Sequence, residues 1–243
     1  QDALGLGSAK VDVAYTGMNA AIKVVDEIKT KLVAAREPGV DRSKVQEEIT
    51  QLQNQLVSIT TAAAFSGENW LSVDSGDAAY SATKSIVASF NRSSAGTVSV
   101  STVDIDISST ELFDAADQSG ILDTTFTTTG AGAATVSVSD LDITAAGIDN
   151  TDIDDMISNV DGALASMSTA AATLGAAKSR VSIQKDFVGE LMNAIDRGIS
   201  TLVDADMTAE STRLQALQTQ QQLGIQALSI ANSGAQSVLS LFR

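Results

Sequence analysis

Apolar residues recur at seven-residue intervals along the first 37 residues of the chain. One series consists of Leu4, Val11, Met18, Val25 and Leu32, and a second, three residues later, consists of Gly7, Ala14, Ala21, Ile28 and Ala35. Two such series sustained over five heptads are typical of a coiled-coil-like helix. Pro38 and Gly39 end the predicted helix, because proline lacks a backbone donor and glycine permits a turn.

A second helix is predicted between Asp41 or Ser43, either of which can cap it, and the turn at Phe65-Ser-Gly67. Its apolar positions repeat at intervals of three and four residues: Val45, Ile49, Leu52, Leu56, Ile59 and Ala63. The short connection predicts that the two helices are antiparallel neighbours.

Residues 69–147 have a different pattern, in which apolar and polar residues alternate as in strands. Thr97–Ile105 and Thr135–Ile143 resemble each other, and in both the apolar phase slips by one residue after the second valine. Such a slip exchanges the buried face unless a bulge absorbs it. The two stretches are either a repeated strand unit or a coincidence of composition.

Helical periodicity returns at residue 151, where Thr151 and Asp154 are predicted to form a capping box. The acidic residues around this point, Asp149 to Asp155, favour a helix cap over a calcium loop, which would need a glycine and a distal glutamate. Heptad spacing continues to Leu202, so 151–202 is predicted to form one helix of roughly 78 Å at about 1.5 Å per residue.

The last stretch, from Arg213 to Arg243, contains no charged residue between those two arginines. It carries two apolar stripes, one through Leu214, Leu217, Leu228 and Val238 and one through Leu223, Ile230 and Leu241. Two stripes need neighbours on more than one side, and the Gln and Ser content is too high for a membrane span. The pattern favours a polymerisation helix; the alternative is a core helix of a larger domain.

Composition limits the function. A net charge of −15 argues against binding to nucleic acid or to an anionic membrane. The absence of His and Cys excludes imidazole bases, thiol chemistry and the usual zinc sites. We therefore expect no enzymatic activity, no metal and no cofactor.

The predicted fold class is α+β: a long antiparallel coiled-coil-like helical rod, a small β-rich insert and a C-terminal polymerisation helix. The predicted divisions are 1–73 for the first part of the rod, 74–149 for a surface-exposed variable insert, 150–202 for the long C-terminal rod helix and 203–243 for the terminal helix.

Several stretches resemble bacterial flagellins. Gln226-Ala-Leu-Ser-Ile-Ala-Asn232 and Gln236-Ser-Val-Leu-Ser-Leu-Phe-Arg243 resemble the flagellin C-terminus, and Glu47-Glu-Ile-Thr-Gln51 with Phe65-Ser-Gly67 resembles its second conserved helix. Gln1-Asp-Ala-Leu-Gly-Leu-Gly7 is most similar to flagellins of rhizobium-like alphaproteobacteria. The resemblance covers 1–73 and 150–243, and the chain is expected to lack the N-terminal segment of that family.

The resemblance implies a structural subunit of the extracellular flagellar filament, exported through the flagellar secretion channel and used for swimming. Implied partners are other flagellin subunits, the export chaperone, and the filament cap and hook-junction proteins. The alternatives are a hook-filament junction protein and a flagellin-like cell-surface adhesin.

Host innate immune receptors recognise some flagellins. The stretch contacted by the animal receptor corresponds to Asp26–Leu32, with Ile28 and Leu32, and to Glu48. Ile28 replaces the central arginine of that stretch, which argues against recognition by the animal receptor.

Two sets of residues are predicted to carry assembly. The subunit interface is Leu214, Leu217, Leu223, Leu228, Ile230, Val238, Leu239, Leu241 and Phe242. The rod seam is Val11, Met18, Val25, Leu32, Ile49, Leu56, Val160, Leu164, Val181, Val188 and Ile195.

Overall fold

A computed structural model of the chain describes residues 2–92, 97–203 and 207–241. Within these ranges the α-helices are α1 (Asp2–Ala35), α2 (Arg42–Ala62), α3 (Asn150–Val203) and α4 (Met207–Leu241). The chain divides into two compact units, Gln1–Gly189 and Glu190–Arg243. The described helices and strands confirm the predicted α+β class.

In the first unit, α1 lies antiparallel to α3. Three ion pairs join the two helices: Lys29 to Asp161 at 2.6 Å, Arg36 to Asp154 at 2.6 Å, and Lys178 to Asp12 at 2.9 Å. The two residue numbers of each pair add up to 190. The register is therefore constant along the whole contact, as expected for a regular coiled-coil-like pair.

The heptad pattern of α1 accounts for its buried face. All ten predicted positions, from Leu4 to Ala35, are buried. In α3 the series Ile153, Val160, Met167, Leu174 and Val181 is buried as well. A second buried series on α3 consists of Met156, Ala163, Ala170 and Ala177. The sequence pattern missed this series, in which three of the four residues are alanines that give a weak apolar signal.

The helix α2 packs on α1, with Ile49 and Leu56 fully buried. Asp41 is its N-cap, and its carboxylate accepts a hydrogen bond from the Ser43 backbone N–H at 3.1 Å. After α2 the chain reverses at Ser66 and Gly67, both with positive φ, between the short strands β1 (Ala64–Phe65) and β2 (Glu68–Asn69).

The central region contains three more strand pairs among its described residues. The strands β3 (Ser72–Val73) and β6 (Phe113–Asp114) are parallel, while β4 (Thr83–Arg92) with β5 (Val98–Asp106) and β7 (Phe126–Thr127) with β8 (Thr135–Val136) are antiparallel. The pair β4–β5 has a β-bulge between Val87 and Ser89. The phase slip predicted for β5 places its apolar residues on opposite faces: Val98 and Val100 are exposed, whereas Val103 and Ile105 are buried.

Of the two alternatives given for these similar stretches, the repeated strand unit is wrong. Thr97–Ile105 falls mainly within β5, but in the similar stretch only Thr135–Val136 is a strand, and Val138–Asp140 is a 3₁₀ turn. The physical reason lies in the partner of the second stretch. Val138, Leu141 and Ile143 are buried, and the backbone around them is held by side chains of α2 rather than by a neighbouring strand.

Two glutamines of α2 make these contacts. The Gln46 amide donates to the Leu141 carbonyl at 2.8 Å and accepts from the Ile143 N–H at 2.9 Å, while Gln53 donates to the Val138 and Leu141 carbonyls at 3.4 and 3.3 Å. Arg42 adds bonds to the Ile148 carbonyl at 2.9 Å and to the Asn150 side chain at 2.7 Å. The returning segment is thus attached along α2 as far as the start of α3.

Within the described residues, no helix is long and apolar enough to cross a membrane.

Candidate functional site

The helix α4 exposes an unusual amount of apolar surface. Six large apolar side chains have exposed fractions between 53% and 75%: Leu214, Leu217, Leu223, Ile225, Leu228 and Ile230. Ile225 was missed by the sequence pattern, although its spacing of three from Leu228 places it on the same face. The sequence between Arg213 and Arg243 contains no charged side chain. An apolar partner can therefore cover these positions without removing a charge from water.

These side chains form two stripes when placed at about 100° per residue. Leu214, Leu217, Ile225 and Leu228 share one side of the helix, and Leu223 and Ile230 lie on roughly the opposite side. Between the stripes runs a polar strip that includes Gln222 and Gln226. A single neighbouring helix can cover one stripe only, so α4 has room for at least two partners.

The remaining predicted interface residues fall at the end of α4. The side chains of Val238, Leu239 and Leu241, and the whole of Phe242, lie outside the described residues. The same is true of 204–206 in the predicted polar joint between α3 and α4.

The predicted rod seam differs in burial along its length. Val11, Met18, Val25, Leu32, Ile49, Leu56, Val160 and Val181 are fully buried; Leu164 and Val188 are half-buried. Ile195 is 51% exposed, and its neighbours on α3 are exposed to a similar extent: Leu191, Met192 and Ile199. The apolar pattern of α3 thus continues beyond the part that is covered in this chain.

The residues of the predicted immune-receptor stretch are not equally accessible. Ile28 and Leu32 are fully buried in the helix contact, whereas Glu48 is exposed. Glu48 binds the Lys31 ammonium at 2.6 Å, and this hydrogen bond raises the pKa of Lys31. A protein that approaches this face of the chain meets the Lys31–Glu48 pair rather than the apolar residues.

The acidic residues at the start of α3 form a cap, but not the predicted one. Asp149, rather than Thr151, accepts from the backbone N–H groups of Thr151 at 2.8 Å and Asp152 at 3.0 Å. The Asp152 carboxylate in turn accepts from the Asp149 N–H at 3.0 Å, which completes a reciprocal capping arrangement. Thr151 was the wrong choice because the helix begins at Asn150, so that Thr151 is already its second residue.

A loop of the insert is attached to this cap. Asp152 is fully buried and also accepts from the Gly132 N–H at 2.9 Å, and Asp155 accepts from the Thr129 N–H and hydroxyl at 2.6 and 2.7 Å. Hydrogen bonding from the Thr128 hydroxyl, followed by the Asp149 and Gly132 N–H groups, lowers the pKa of Asp152 to about 2. The charged carboxylate therefore has a structural role here.

Comparison with known families decides the identity. The bacterial flagellin N-terminal helical region matches residues 1–75, and the bacterial flagellin C-terminal helical region matches residues 157–242. The chain belongs to the flagellin family. It is a structural subunit of the flagellar filament and not an enzyme, and the filament to which it contributes is extracellular and serves motility.

Individual flagellins are similar over the whole chain. Flagellin C of Rhizobium meliloti strain 1021 is 48% identical, with the match covering 100% of this chain and 80% of that protein. Flagellin A of the same strain is 42% identical, covering 100% and 84%, and a Brucella melitensis flagellin is 42% identical, covering 100% and 77%. The similarity to flagellins of these organisms agrees with the predicted resemblance to rhizobium-like flagellins. A Bacillus cereus flagellin crystal structure matches with 16% identity and a TM-score of 0.45, covering 75% of this chain and 83% of that one.

Proposed function

We propose that this flagellin joins its neighbours in the filament through both apolar stripes of α4, which pack against helices of other subunits. The observation that carries the proposal is the exposure of six large apolar side chains on a helix segment without charge. Removing apolar surface from water contributes about 25 cal/mol per Å². Covering such stripes is thus a strong driving force for association, while the net charge of −15 keeps free subunits soluble.

The test places a charge in one stripe. Leu228→Asp should leave the helical content and melting temperature of the first unit unchanged, because Leu228 is 75% exposed. Burial of the new carboxylate on assembly should raise the critical concentration for polymerisation at least roughly tenfold, which corresponds to about 1.4 kcal/mol. The measurements are light scattering and electron microscopy of reassembled filaments.

Gln226→Asp is the matched control, since it adds the same charge to the polar strip of the same helix. It should assemble almost as the unaltered protein does. Normal filaments from Leu228→Asp, or equal impairment by both variants, would contradict the proposal.

We propose the predicted divisions, 1–73, 74–149, 150–202 and 203–243, as functional segments, with the second facing solvent in the filament.

We further propose export through the flagellar secretion channel, with the export chaperone covering α4 before assembly and with the filament cap and hook-junction proteins binding at the filament ends. The exposure of α4 supports the chaperone assignment. If it is right, Leu228→Asp should weaken chaperone binding in a gel-shift titration, and Gln226→Asp should not.

We also expect the animal immune receptor to bind this flagellin poorly, because Ile28 stands in place of an arginine and is fully buried.

A further inference from the structure

A shallow apolar groove runs along the outer side of the α1–α2 contact. Its first part, about 410 Å³, is mainly apolar and is lined by residues that include Val13, Gly17, Ala20, Ile59 and Ala62. Its second part, about 540 Å³, extends to Val24 and Glu27 and is also lined by the polar side chains of Thr16, Asn19, Lys23 and Gln55. Gly17 forms the floor, where an added Cβ would lie 2.8 Å from both Ala63 Cβ and Leu71 Cδ1. The absence of a side chain at Gly17 therefore allows α1 to lie close to Ala63 and Leu71 beneath the groove.

The residues that α1 contributes to this groove are regularly spaced along the helix. Val13, Gly17, Ala20 and Val24 follow one another at intervals of four and three residues and so share one face of the helix. Glu27 continues the same face at the end of the groove, and it is exposed. Among the described residues, Glu27 has no basic side chain within ion-pair distance.

The first unit also carries a ridge that could fill such a groove. On α3, Ile183 and Phe187 are 66% and 55% exposed, and Phe187 is the one aromatic residue among the large apolar side chains that are exposed in the described part of the chain. Arg180 lies on the same face, three residues before Ile183 and seven before Phe187. It is exposed and, within the described residues, is not part of an ion pair.

Groove and ridge match in spacing and in charge. Ala20 and Glu27 are seven residues apart, as are Phe187 and Arg180. If a ridge lies antiparallel in a groove with Phe187 at Ala20, then Ile183 meets Val24, Arg180 meets Glu27, and the neutral Gln184 meets Lys23. The two apolar side chains of the ridge then lie over apolar residues of the groove, and Arg180 lies beside Glu27, which has the opposite charge.

We propose that the Arg180–Phe187 ridge of one subunit docks into the α1–α2 groove of a second copy in the filament. A subunit that uses two different surfaces makes a head-to-tail contact, which does not close on itself and generates an open helical polymer. This contact involves only the first unit and is separate from the contacts proposed for α4.

The register predicts the axial offset between the two copies. Contacts of α1 with α3 within one subunit join residues whose numbers add up to 190, and the proposed contact joins residues whose numbers add up to 207. The difference of 17 residues corresponds to an axial shift of about 26 Å at about 1.5 Å per residue.

Disulfide trapping tests the contact, because the chain contains no cysteine of its own. Native filaments carrying Ala20→Cys together with Phe187→Cys should give a ladder of linked subunits under mild oxidation. A link within one subunit is excluded by the register, since residue 187 lies level with residue 3 and a disulfide needs Cα atoms within about 7 Å. Val33→Cys with Phe187→Cys is the control, as Val33 lies on the other side of α1.

Filaments that form but show no ladder, or no more than the control pair, would overturn the proposal. If the cysteine variant does not assemble, an exchange of charges gives an independent answer. Glu27→Arg and Arg180→Glu should each raise the critical concentration roughly two- to fivefold, and the double variant should return it toward the original value.

The matched control for the exchange is Lys185→Glu, which introduces the same charge change on the opposite side of α3. A double variant that is as impaired as the two single changes combined would also overturn the proposed contact.

Discussion

The cap at the start of α3 shows how much one carboxylate can connect. Asp152 accepts from the helix start at Asp149 and from the insert loop at Gly132, and it is fully buried. Its pKa is lowered from 3.8 to about 2, so the folded chain favours the charged form more than the unfolded chain does. That stabilisation is present above about pH 4 and is lost as the pH falls through about 2.

Asp152→Asn should therefore lower the melting temperature by several degrees at pH 7, because the amide lacks the negative charge that the surrounding N–H donors stabilise, and its NH2 group brings further donors into a fully buried position. The difference from the unaltered protein should shrink as the pH falls from 4 to 2, since the native carboxyl is then protonated as well. Circular dichroism melting curves at several pH values measure both effects. Asp154→Asn, which alters an exposed pair with Arg36, is the control, and a pH-independent difference would refute the assignment.

At the scale of helices, packing and charge contribute unequally to the α1–α3 register. The ion pairs that mark the register are on the surface, with Lys29 and Asp161 side chains 34% and 49% exposed, and such pairs contribute about 0–1 kcal/mol. A fully buried side chain such as Ile28 contributes more, because its removal leaves a cavity.

Ile28→Ala should reduce the free energy of unfolding by about 2–5 kcal/mol, and Lys29→Ala, one residue later, by less than about 1 kcal/mol. Urea titrations followed by circular dichroism distinguish these values. Comparable losses from both changes would mean that the charge pairs, and not the core, hold the two helices in register.

The helices were predictable from sequence because their period is local. Ten of ten heptad positions in α1 are buried, and Asp41 caps α2 as one of the two residues expected there. The course of residues 135–143 could not be predicted from sequence, because it depends on Gln46, which binds residues that lie 95 and 97 positions later in the chain. The available signal was the seven-residue spacing of Gln46 and Gln53, which places both amides on one face of α2.

The assembly surface on α4 was predicted from the absence of charged residues in that stretch, and not from a pattern typical of one fold. The apolar stripes of α4 are recognisable in sequence, whereas the groove on α1 is not, because Gly17 and Ala20 give no apolar signal of their own. Its existence depends on the approach of α2, which only the folded chain shows.

Across the whole molecule, negative charge is concentrated in the insert. Residues 74–149 contain 11 acidic and two basic residues, a net charge of −9, and the remaining residues contribute −6 of the total of −15. In a filament with its inserts facing solvent, equal charges of neighbouring subunits repel one another. Salt screens that repulsion over about 10 Å at 0.1 M ionic strength.

Filaments should therefore be less stable at 10 mM than at 150 mM sodium chloride, with a lower depolymerisation temperature at the lower concentration. Replacing Asp104 and Asp106 by Asn should reduce this salt dependence, because it removes two exposed charges from β5. Turbidity recorded during heating measures the transition. A salt dependence of the opposite sign would mean that attraction between unlike charges dominates assembly.

The attachment of the returning segment to α2 has a mechanical consequence. In a filament whose inserts face solvent, as proposed above, viscous drag on the insert is transmitted to the helices at the point where the chain re-enters them. There Arg42, Gln46 and Gln53 bind the segment 138–150 side by side. Because three side chains of α2 hold the segment, a load on it is distributed over several hydrogen bonds instead of being carried by one.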